Sequence, residues 1–594
     1  MVLGNPFADK PLLSAEVHYF RVPRDDWELM LARMRQLGAN TISTYVPWAW
    51  HEARPGALDL DGSSHPQRDL IDFVRLCGRL GLRIILKPGP FVDGGMLGGG
   101  IPPWLLRAHP EIHALRPDGQ PWRHSDGDAP RACYLHPAYL DAARRWIAAF
   151  SAATLPLQYP AGPVVALQAD NETPGDGMRP ADIDLDPRFK LDYNEHVVKT
   201  LWPQWLREHY SEDGGSTIED RGWIVNGSIV EPPSAILHPL DLDELKRYTD
   251  LDTFTDWFYD TAVATVAGWL REDGWTVPLY HNLLAAPWEA GGTIADLPGL
   301  ARATGWLGHN VYAGDVRKPS VGGILYRLSY EDYVHCAHWR TRLVKHLSPG
   351  LPSFVPEISA AQDFYFAAPF VGGLQAINIS MGPQTQPDNP AIGAFPRWAM
   401  DALVRPDGSV RPRFWNAKTP FTLLGAAGAD FAAARAPAEL ALGYSHVPER
   451  VGNWGRGAEI DRAPLHPDLD GVMAGCDHAL RSQILAQRLV HAGVAFDILD
   501  LDAATPEELA RYALVVDPAA RMLARATQQT LARCANLALA GDASTRYDEN
   551  LAPCTLLDDA ENAAAAQRQG DKQTNGESDE ELVSPSLLRL PEDV

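Results

Sequence analysis

Two glutamates stand at the ends of short apolar runs that are typical of buried strands. Residues 164–172 (VVALQADNE) end in the pair Asn171-Glu172, and residues 353–359 (SFVPEIS) carry Glu357. A pair of carboxylates placed this way suits acid/base catalysis by one group and nucleophilic attack by the other. Cleavage of a glycosidic bond is a reaction that uses such a pair. The sequence therefore predicts glycosidic-bond chemistry at Glu172 and Glu357.

Apolar runs recur along the first two thirds of the chain, and stretches of helical periodicity separate them. Such runs predict strands that are covered on both faces, and the alternation with helices predicts parallel pairing. The eight predicted strands are residues 12–19, 39–46, 82–91, 164–172, 277–283, 305–312, 353–359 and 376–382. Eight such units indicate a (β/α)₈ TIM barrel over about residues 1–425. Residues 173–276 are too many for an ordinary connection and are predicted as a partly helical insertion.

A smaller, flavodoxin-like α/β domain is predicted over residues 436–545. Its strand-like runs are residues 438–444, 495–501, 512–517 and 536–541. No glycine-rich phosphate loop follows the first of these runs, which argues against nucleotide binding. Residues 556–594 are polar and rich in alanine and acidic residues, so they are predicted to form a disordered acidic tail.

Side chains at the carboxyl ends of barrel strands meet at one mouth, so Glu172 and Glu357 are expected to face the same sugar. Glu357 is predicted as the nucleophile and Glu172 as the proton donor. Esterification of Glu357 removes its charge, which lets Glu172 become the base that activates water. Asn171 is expected to hydrogen-bond a sugar hydroxyl. The plainer alternatives are glutamates that only form ion pairs and an asparagine that only stabilises a turn.

The charge balance excludes some partners. The chain carries 52 basic and 76 acidic residues, a formal net charge of −24, which repels nucleic acid and anionic membranes. No run approaches the roughly 20 apolar residues that span a bilayer, and the first residues lack the pattern of a signal peptide. We therefore expect a cytoplasmic enzyme with no nucleic-acid or membrane partner.

Neither the cysteines nor the histidines follow a pattern typical of a metal site. The six cysteines are scattered singly without CxxC spacing, and the 19 histidines include no HExxH motif. We interpret the cysteines as small buried apolar residues. No metal and no other cofactor is predicted.

Several segments resemble glycoside hydrolase family 35, the β-galactosidases. In chain order they are Thr44–Glu52 with Pro55-Gly56, Lys87–Phe91, Gly99–Leu105, Asn171-Glu172, Glu357 and Asn378–Met381. Their order over about residues 10–390 is more specific than any single segment. The resemblance implies a retaining enzyme that removes a terminal β-linked sugar from an oligosaccharide or glycoside substrate. It implies that Glu172 is the acid/base and Glu357 the nucleophile.

The same resemblance implies roles for neighbouring residues. Tyr45 would bind the sugar, and Trp104 and Tyr312 would stack on its ring. Asn378 belongs to the eighth-strand motif and is expected to contact the substrate. Glu52 would orient a sugar hydroxyl. The alternatives are a loop-capping role for Glu52 and a core position for Trp104.

The sequence departs from the family where the sugar is recognised. Asp93-Gly94-Gly95 stand where family members carry Cys-Ala-Glu, whose glutamate binds galactose hydroxyls, and Ser380 replaces a tyrosine. Asp93 is the carboxylate expected to substitute for that glutamate. The main prediction is a β-galactosidase-like retaining exo-β-glycosidase. The alternatives are an enzyme for another terminal sugar, such as glucosamine, and a non-catalytic carbohydrate-binding barrel.

The second α/β region resembles the flavodoxin-like domain that follows the barrel in family 42. In that family the domain contributes to trimer formation. The match rests on the alternation of strands and helices, and it implies a homo-oligomer assembled through residues 436–545.

Overall fold

Eight parallel strands form a closed barrel, which confirms the predicted fold. The computed structural model describes residues 6–7, 10–93, 96–123, 129–173, 191–212, 217–232, 241–283, 295–311, 330–358, 370, 372–384, 402–434, 438–451, 478–540 and 545–559. The barrel strands are β1 (Leu12–Glu16), β2 (Thr41–Tyr45), β3 (Arg83–Lys87), β4 (Val164–Gln168), β5 (Leu279–Leu283), β6 (Leu307–His309), β7 (Phe354–Ile358) and β8 (Ala376–Ile379). They follow one another in chain order, and β8 pairs with β1 to close the barrel.

An apolar layer fills the barrel toward the amino ends of the strands. Ile85, Val165, Tyr280 and Phe354 belong to one buried cluster there. Trp306 stacks on Phe354 with the ring centroids 5.0 Å apart. Because successive residues of a strand point to opposite faces, the other apolar side chains of these strands face the surrounding helices. The barrel is thus a packed core, and polar side chains collect beyond this layer, at the carboxyl ends of the strands.

Helices lie between and after the barrel strands along the chain, and several of them pack on the outside of the barrel. They are α1 (Trp27–Leu37), α2 (Trp48–His51), α3 (Leu70–Arg79), α4 (Pro103–Ala108), α5 (Pro137–Thr154), α6 (Trp202–Glu212), α7 (Leu242–Glu272), α8 (Leu297–Thr304), α9 (Tyr330–His346) and α10 (Pro412–Ala433). In α1 the buried residues Trp27, Met30, Leu31 and Met34 form one stripe, and Gly38 ends the helix at φ 108°. None of the helices in the described ranges combines the length and apolar character that a membrane span requires.

The 31-residue helix α7 dominates the described part of the stretch between β4 and β5. At 1.5 Å per residue it is about 46 Å long. The side chain of Asp241 caps its amino end by accepting a hydrogen bond from the backbone N–H of Glu244 at 2.9 Å. Leu270 near its carboxyl end packs in the barrel core, whereas Leu245 packs near its amino end with Val447 and Met522. One helix therefore contacts both the barrel and the region that follows it.

A four-stranded parallel sheet forms the second α/β region. Its strands are β9 (Leu440–Tyr444), β10 (Phe496–Asp500), β11 (Leu514–Asp517) and β12 (Leu537–Leu539), and its helices are α11 (His478–His491), α12 (Pro506–Leu509) and α13 (Arg525–Leu531). The order β10-β9-β11-β12 is that of a doubly wound sheet, and all four predicted strands are present. Residues 556–559 form a helical turn with buried Leu557, so regular structure continues past the predicted start of the tail. Residues 560–594 lie outside the described residues, and the domain boundaries stay a prediction.

A buried ionic contact joins α7 to the second sheet. Nε2 of His446, which follows β9, lies 2.9 Å from Oδ2 of Asp256, and Nε of Arg450 lies 3.2 Å from the same oxygen. Burial opposes the charge of His446, but the carboxylates of Asp256 and Asp296 raise its pKa to about 9. The imidazole is therefore held in its protonated form at neutral pH. The contact is at the crevice where β9 ends, so α7 occupies the edge at which such sheets often bind ligands.

This contact predicts a loss of stability at alkaline pH. The pKa of His446 is raised above its ordinary value of 6.5, so its contribution is complete below about pH 6.5 and is lost as the pH rises through about 9. The stability difference between the wild type and His446→Gln, on the order of 1 to 3 kcal/mol, should be full at pH 6 and shrink by pH 10. Thermal unfolding across this range measures it. A difference that does not change with pH would show that the ion pair contributes nothing.

Candidate active site

Polar side chains from the barrel strands meet at one mouth. They are Glu16 on β1, Tyr45 on β2, Lys87 on β3, Asn171 and Glu172 after β4, Asn282 on β5, Asn310 after β6, Glu357 on β7 and Asn378 on β8. All nine residues are buried. Buried polar groups are costly unless they are hydrogen-bonded or ion-paired, so the contacts among them decide what this cluster can do.

Two hydrogen-bond donors and one ammonium group converge on one carboxylate oxygen of Glu357. The hydroxyl of Tyr45 donates to Oε1 at 2.7 Å and the Nδ2 amide of Asn282 donates to it at 3.2 Å. The ammonium Nζ of Lys87 lies 3.6 Å from the same oxygen. Contacts of this kind fix the orientation of a carboxylate. The Glu357 carboxylate is therefore held in one orientation at the mouth of the barrel.

Asn282 links the two glutamates. Its Oδ1 accepts a hydrogen bond from the backbone N–H of Glu172 at 3.0 Å, while its Nδ2 donates to Glu357. Asn310 supplies a second link, because its Nδ2 donates to the carboxylate of Glu172 and its Oδ1 lies 3.5 Å from Nδ2 of Asn282. The two carboxylates thus belong to one hydrogen-bonded site, as their strand-end positions predict.

The turn that carries Glu172 has an unusual backbone. Asp170 and Glu172 have φ angles of 57° and 49°, in the left-handed region that residues with a Cβ adopt rarely. Such conformations cost on the order of 1 to 3 kcal/mol each and persist where the surroundings impose them. The strained turn places Glu172 against Asn282 and Asn310.

Contacts beneath the turn hold it in place. Nδ1 of His281 lies 2.8 Å from the carbonyl oxygen of Ala169 and Nε2 lies 3.0 Å from that of Thr173, so the ring spans the turn. The carboxylate of Asp170 accepts a hydrogen bond from the backbone N–H of Phe91 at 2.9 Å and another from the hydroxyl of Thr173. Burial raises the pKa of Asp170 to about 7 despite these donors. The turn is thereby tied to both β3 and β5.

Tyr45 and Asn171 lie beside the glutamates. Oδ1 of Asn171 accepts from Nε2 of Gln168 at 2.6 Å and lies 3.2 Å from the hydroxyl of Tyr45. With its oxygen engaged, Asn171 keeps its amide N–H groups for other partners, and the sugar contact expected of it stays a prediction. Tyr45, expected as a sugar contact, also orients Glu357.

Glu52 and Trp104 contact each other and the loop after β2. The indole Nε1 of Trp104 donates to the backbone oxygen of Glu52 at 2.8 Å. The Glu52 carboxylate accepts from Nε1 of Trp48 at 2.7 Å and from the backbone N–H of Gly56 at 2.8 Å. These hydrogen bonds stabilise the conformation of the loop after β2. The sugar contacts expected of Glu52 and Trp104 stay predictions.

The remaining predicted site residues are Asp93, Asn378 and Tyr312. Asp93 is partly exposed with φ 47°. Burial lowers the pKa of nearby Arg21 to about 10, while Glu16, Tyr45 and Asp93 oppose that shift. Nδ2 of Asn378 donates to the backbone oxygen of Pro356 at 2.6 Å, next to Glu357, so Asn378 is placed to steady β7. Tyr312 lies outside the described residues.

Asn282, Asn310, Lys87 and Glu16 were not predicted as site residues. A signal for the two asparagines was present, since β5 carries His281-Asn282 and the end of β6 carries His309-Asn310. A His-Asn pair at the carboxyl end of two barrel strands follows the same rule that identified Asn171-Glu172.

Family models match two parts of the chain. Residues 7–200 match glycosyl hydrolases family 35, a span that includes Asn171 and Glu172. Residues 469–582 match the GLMA-like second domain. The two matches fall on the barrel and on the α/β region after it, which supports a two-domain arrangement.

Characterised relatives cover different lengths of the chain. Exo-beta-D-glucosaminidase of Thermococcus kodakarensis is 29% identical over 586 residues, which span 91% of this chain and 67% of the relative. The enzyme of the same name from Pyrococcus horikoshii is 27% identical over 91% of this chain and 68% of its own. Mus musculus beta-galactosidase is 36% identical over 170 residues, 28% of this chain and 22% of its own.

Solved structures share the fold. The beta-galactosidase from Marinomonas ef1 superposes with a TM-score of 0.66 at 17% identity, over 91% of this chain and 77% of its own. The beta-galactosidase from Rahnella sp. R3 superposes with a TM-score of 0.68 at 14% identity, over 93% of this chain and 74% of its own. The family-model match and the relatives, together with the paired carboxylates, show that the chain is a glycoside hydrolase, and its residues 7–200 are similar to family 35.

Proposed function

We propose that the protein is a retaining exo-β-glycosidase in which Glu357 is the nucleophile and Glu172 the acid/base. The observation that carries this proposal is the convergence of Tyr45, Asn282 and Lys87 on one oxygen of Glu357. A carboxylate with these neighbours is stabilised as an anion that can attack an anomeric carbon. Glu172 instead accepts from the neutral amide of Asn310, a donor that suits a group that gains and loses a proton.

The reaction follows from these positions. A carboxylate oxygen of Glu357 bonds to the anomeric carbon as the glycosidic C–O bond breaks, and the leaving oxygen takes the proton of Glu172. Glu172 then removes a proton from water, whose oxygen attacks the anomeric carbon and releases Glu357. The two inversions leave the sugar with its original β configuration.

For the terminal sugar we propose glucosamine first and galactose second. The relatives that match over 91% of the chain are exo-beta-D-glucosaminidases, whereas Mus musculus beta-galactosidase matches over 28%. The family carboxylate that binds galactose hydroxyls has no counterpart at Gly95. Asp93 would then contact the sugar, and a carboxylate suits a protonated 2-amino group.

The proposal also covers the assembly of the protein and its place in the cell. We propose that the second α/β region serves in homo-oligomer formation, and that the enzyme acts in the cytoplasm without a nucleic-acid partner. The free thiols of Cys77, Cys133, Cys534 and Cys554 among the described residues suit a reducing compartment.

A panel of 4-nitrophenyl β-glycosides tests the sugar preference. The glucosaminide is expected to give the highest kcat/KM and the galactoside the next, with the N-acetylglucosaminide and the α-linked isomers far lower. NMR of the first-formed sugar should show the β anomer. A panel with no turnover would favour a sugar-binding barrel, and an α product would contradict the retaining mechanism.

Replacing the catalytic carboxylates distinguishes their roles. Glu357→Gln is expected to lose more than about 10³-fold in kcat. Glu172→Gln should keep more activity on a 4-nitrophenyl glycoside, whose leaving group needs little protonation, and azide should restore turnover with formation of a β-glycosyl azide. Glu449→Gln, at a buried glutamate of the second region, is the control. Formation of a β-glycosyl azide by Glu357→Gln, with an α-glycosyl azide formed by Glu172→Gln, would reverse the assignment.

Asn282→Ala tests the link between the glutamates. Loss of its contacts to Glu172 and Glu357 is expected to lower kcat by about 10² to 10³-fold, as for other single donors in active sites. Asn194→Ala is the matched control, since Asn194 is also buried and its amide donates to two backbone oxygens, at 2.8 Å each, outside the site. Equal loss of activity in both variants would show that Asn282 acts only through the general stability of the fold.

A further inference from the structure

Another buried carboxylate lies close to the nucleophile. Glu16, the last residue of β1, forms an ion pair with the ammonium group of Lys87 on β3. The same ammonium nitrogen lies 3.6 Å from Oε1 of Glu357. Both Glu16 and Lys87 are 1% exposed, so water does not screen this arrangement. One buried cation is therefore shared by two carboxylates, and the catalytic mechanism above uses only one of them.

Other groups face this cation from several strands. The ring of Tyr45 on β2 lies 4.3 Å from Nζ of Lys87, a cation–π distance. Tyr280 on β5 lies near enough to interact with it, and burial raises the pKa of that phenol so that it stays neutral. On the chain after β1, Nε2 of His18 is 3.5 Å from Glu16, and Arg21 also interacts with Glu16. Burial, Arg21 and Lys87 lower the pKa of His18, so this ring is neutral.

The charge around Lys87 changes during a retaining reaction. In the free enzyme the ammonium lies between the carboxyl groups of Glu16 and Glu357. Burial and Glu357 raise the pKa of Glu16, and the ammonium of Lys87 opposes that rise and favours its charged form. In the glycosyl-enzyme Glu357 is a neutral ester, and Glu16 becomes the remaining carboxylate partner of the ammonium. An uncompensated buried ammonium is strongly unfavourable, so Glu16 prevents the intermediate from leaving a lone buried charge.

We propose that Glu16 is a positioning residue that holds Lys87 back from Glu357 and so sets how strongly the cation acts on the nucleophile. This inference rests on the proposed function, in which Glu357 attacks the sugar. Without Glu16, the flexible lysine would move onto Glu357, favour its anion further and reduce its nucleophilicity. Without Lys87, Glu16 and Glu357 would be two like charges close together, which disfavours the anion of Glu357.

Two substitutions therefore shift the pH profile in opposite directions. Glu16→Gln is expected to move the acid limb of kcat/KM to lower pH, and Lys87→Met to higher pH, each by roughly half a unit or more. Glu16→Gln should also lower kcat about tenfold or more, because formation of the glycosyl-enzyme then leaves the buried cation without a carboxylate partner. The double variant should lie between the two single variants.

The profiles are measured with 4-nitrophenyl β-D-glucosaminide and again with the galactoside, since a property of the enzyme gives the same shift with both. Thermal unfolding is measured for every variant, and Glu16→Asp, which keeps a charge at a longer distance, replaces Glu16→Gln if that variant does not fold. It should give a smaller shift in the same direction. Shifts of the two single variants in one direction, or no shift in either, would overturn the proposal.

A separate result distinguishes this failure from failure of the proposed function. If Glu357→Gln is inactive but the acid limb does not move in the Glu16 variants, Glu357 remains the nucleophile and Glu16 has only a structural role. If Glu357→Gln keeps most activity, the nucleophile assignment itself is wrong, and the charge-sharing proposal falls with it.

Discussion

The rest of the site depends on the contacts of the buried Lys87 ammonium group with the carboxyl groups of Glu16 and Glu357. A carboxylate removed from water is strongly disfavoured unless a cation and hydrogen-bond donors compensate its charge. Glu357 obtains that compensation from Lys87 on β3, Tyr45 on β2 and Asn282 on β5, while Glu16 on β1 balances the lysine. Four strands must meet β7 at one height for this to occur, which a closed parallel barrel over a packed apolar layer provides.

Amide side chains hold the second carboxylate, Glu172, in position. Asn282 and Asn310 bind Glu172 in a turn whose left-handed backbone would not be stable alone, and His281 spans the same turn from below. Strain of this kind persists only where the surroundings are rigid. The chain between β4 and β5 also includes α7, which contacts both the barrel and the second α/β region.

Much of this architecture is readable in the sequence, because barrel strands are buried on both faces and end in polar residues. That rule gives all eight strands and identifies Glu172 and Glu357. The contacts of Asn282 and of the Glu16–Lys87 pair are not readable, since they join strands that are far apart in sequence and meet only after the barrel closes. The hydrogen bond between Trp104 and the backbone of Glu52 is likewise not readable in the sequence, because it depends on the path of a loop.

Trapping the covalent intermediate tests the central claim most directly. A 5-fluoro-β-glycosyl fluoride of the preferred sugar keeps the substituent at carbon 2 and should form a glycosyl-enzyme that accumulates. The fluorine at carbon 5 destabilises the transition states for its formation and hydrolysis, while the fluoride leaving group at carbon 1 keeps its formation the faster step. Mass spectrometry of the intact protein and its peptides should then show one added sugar, carried by Glu357. A sugar attached to another residue, or full inactivation without a covalent adduct, would contradict the account.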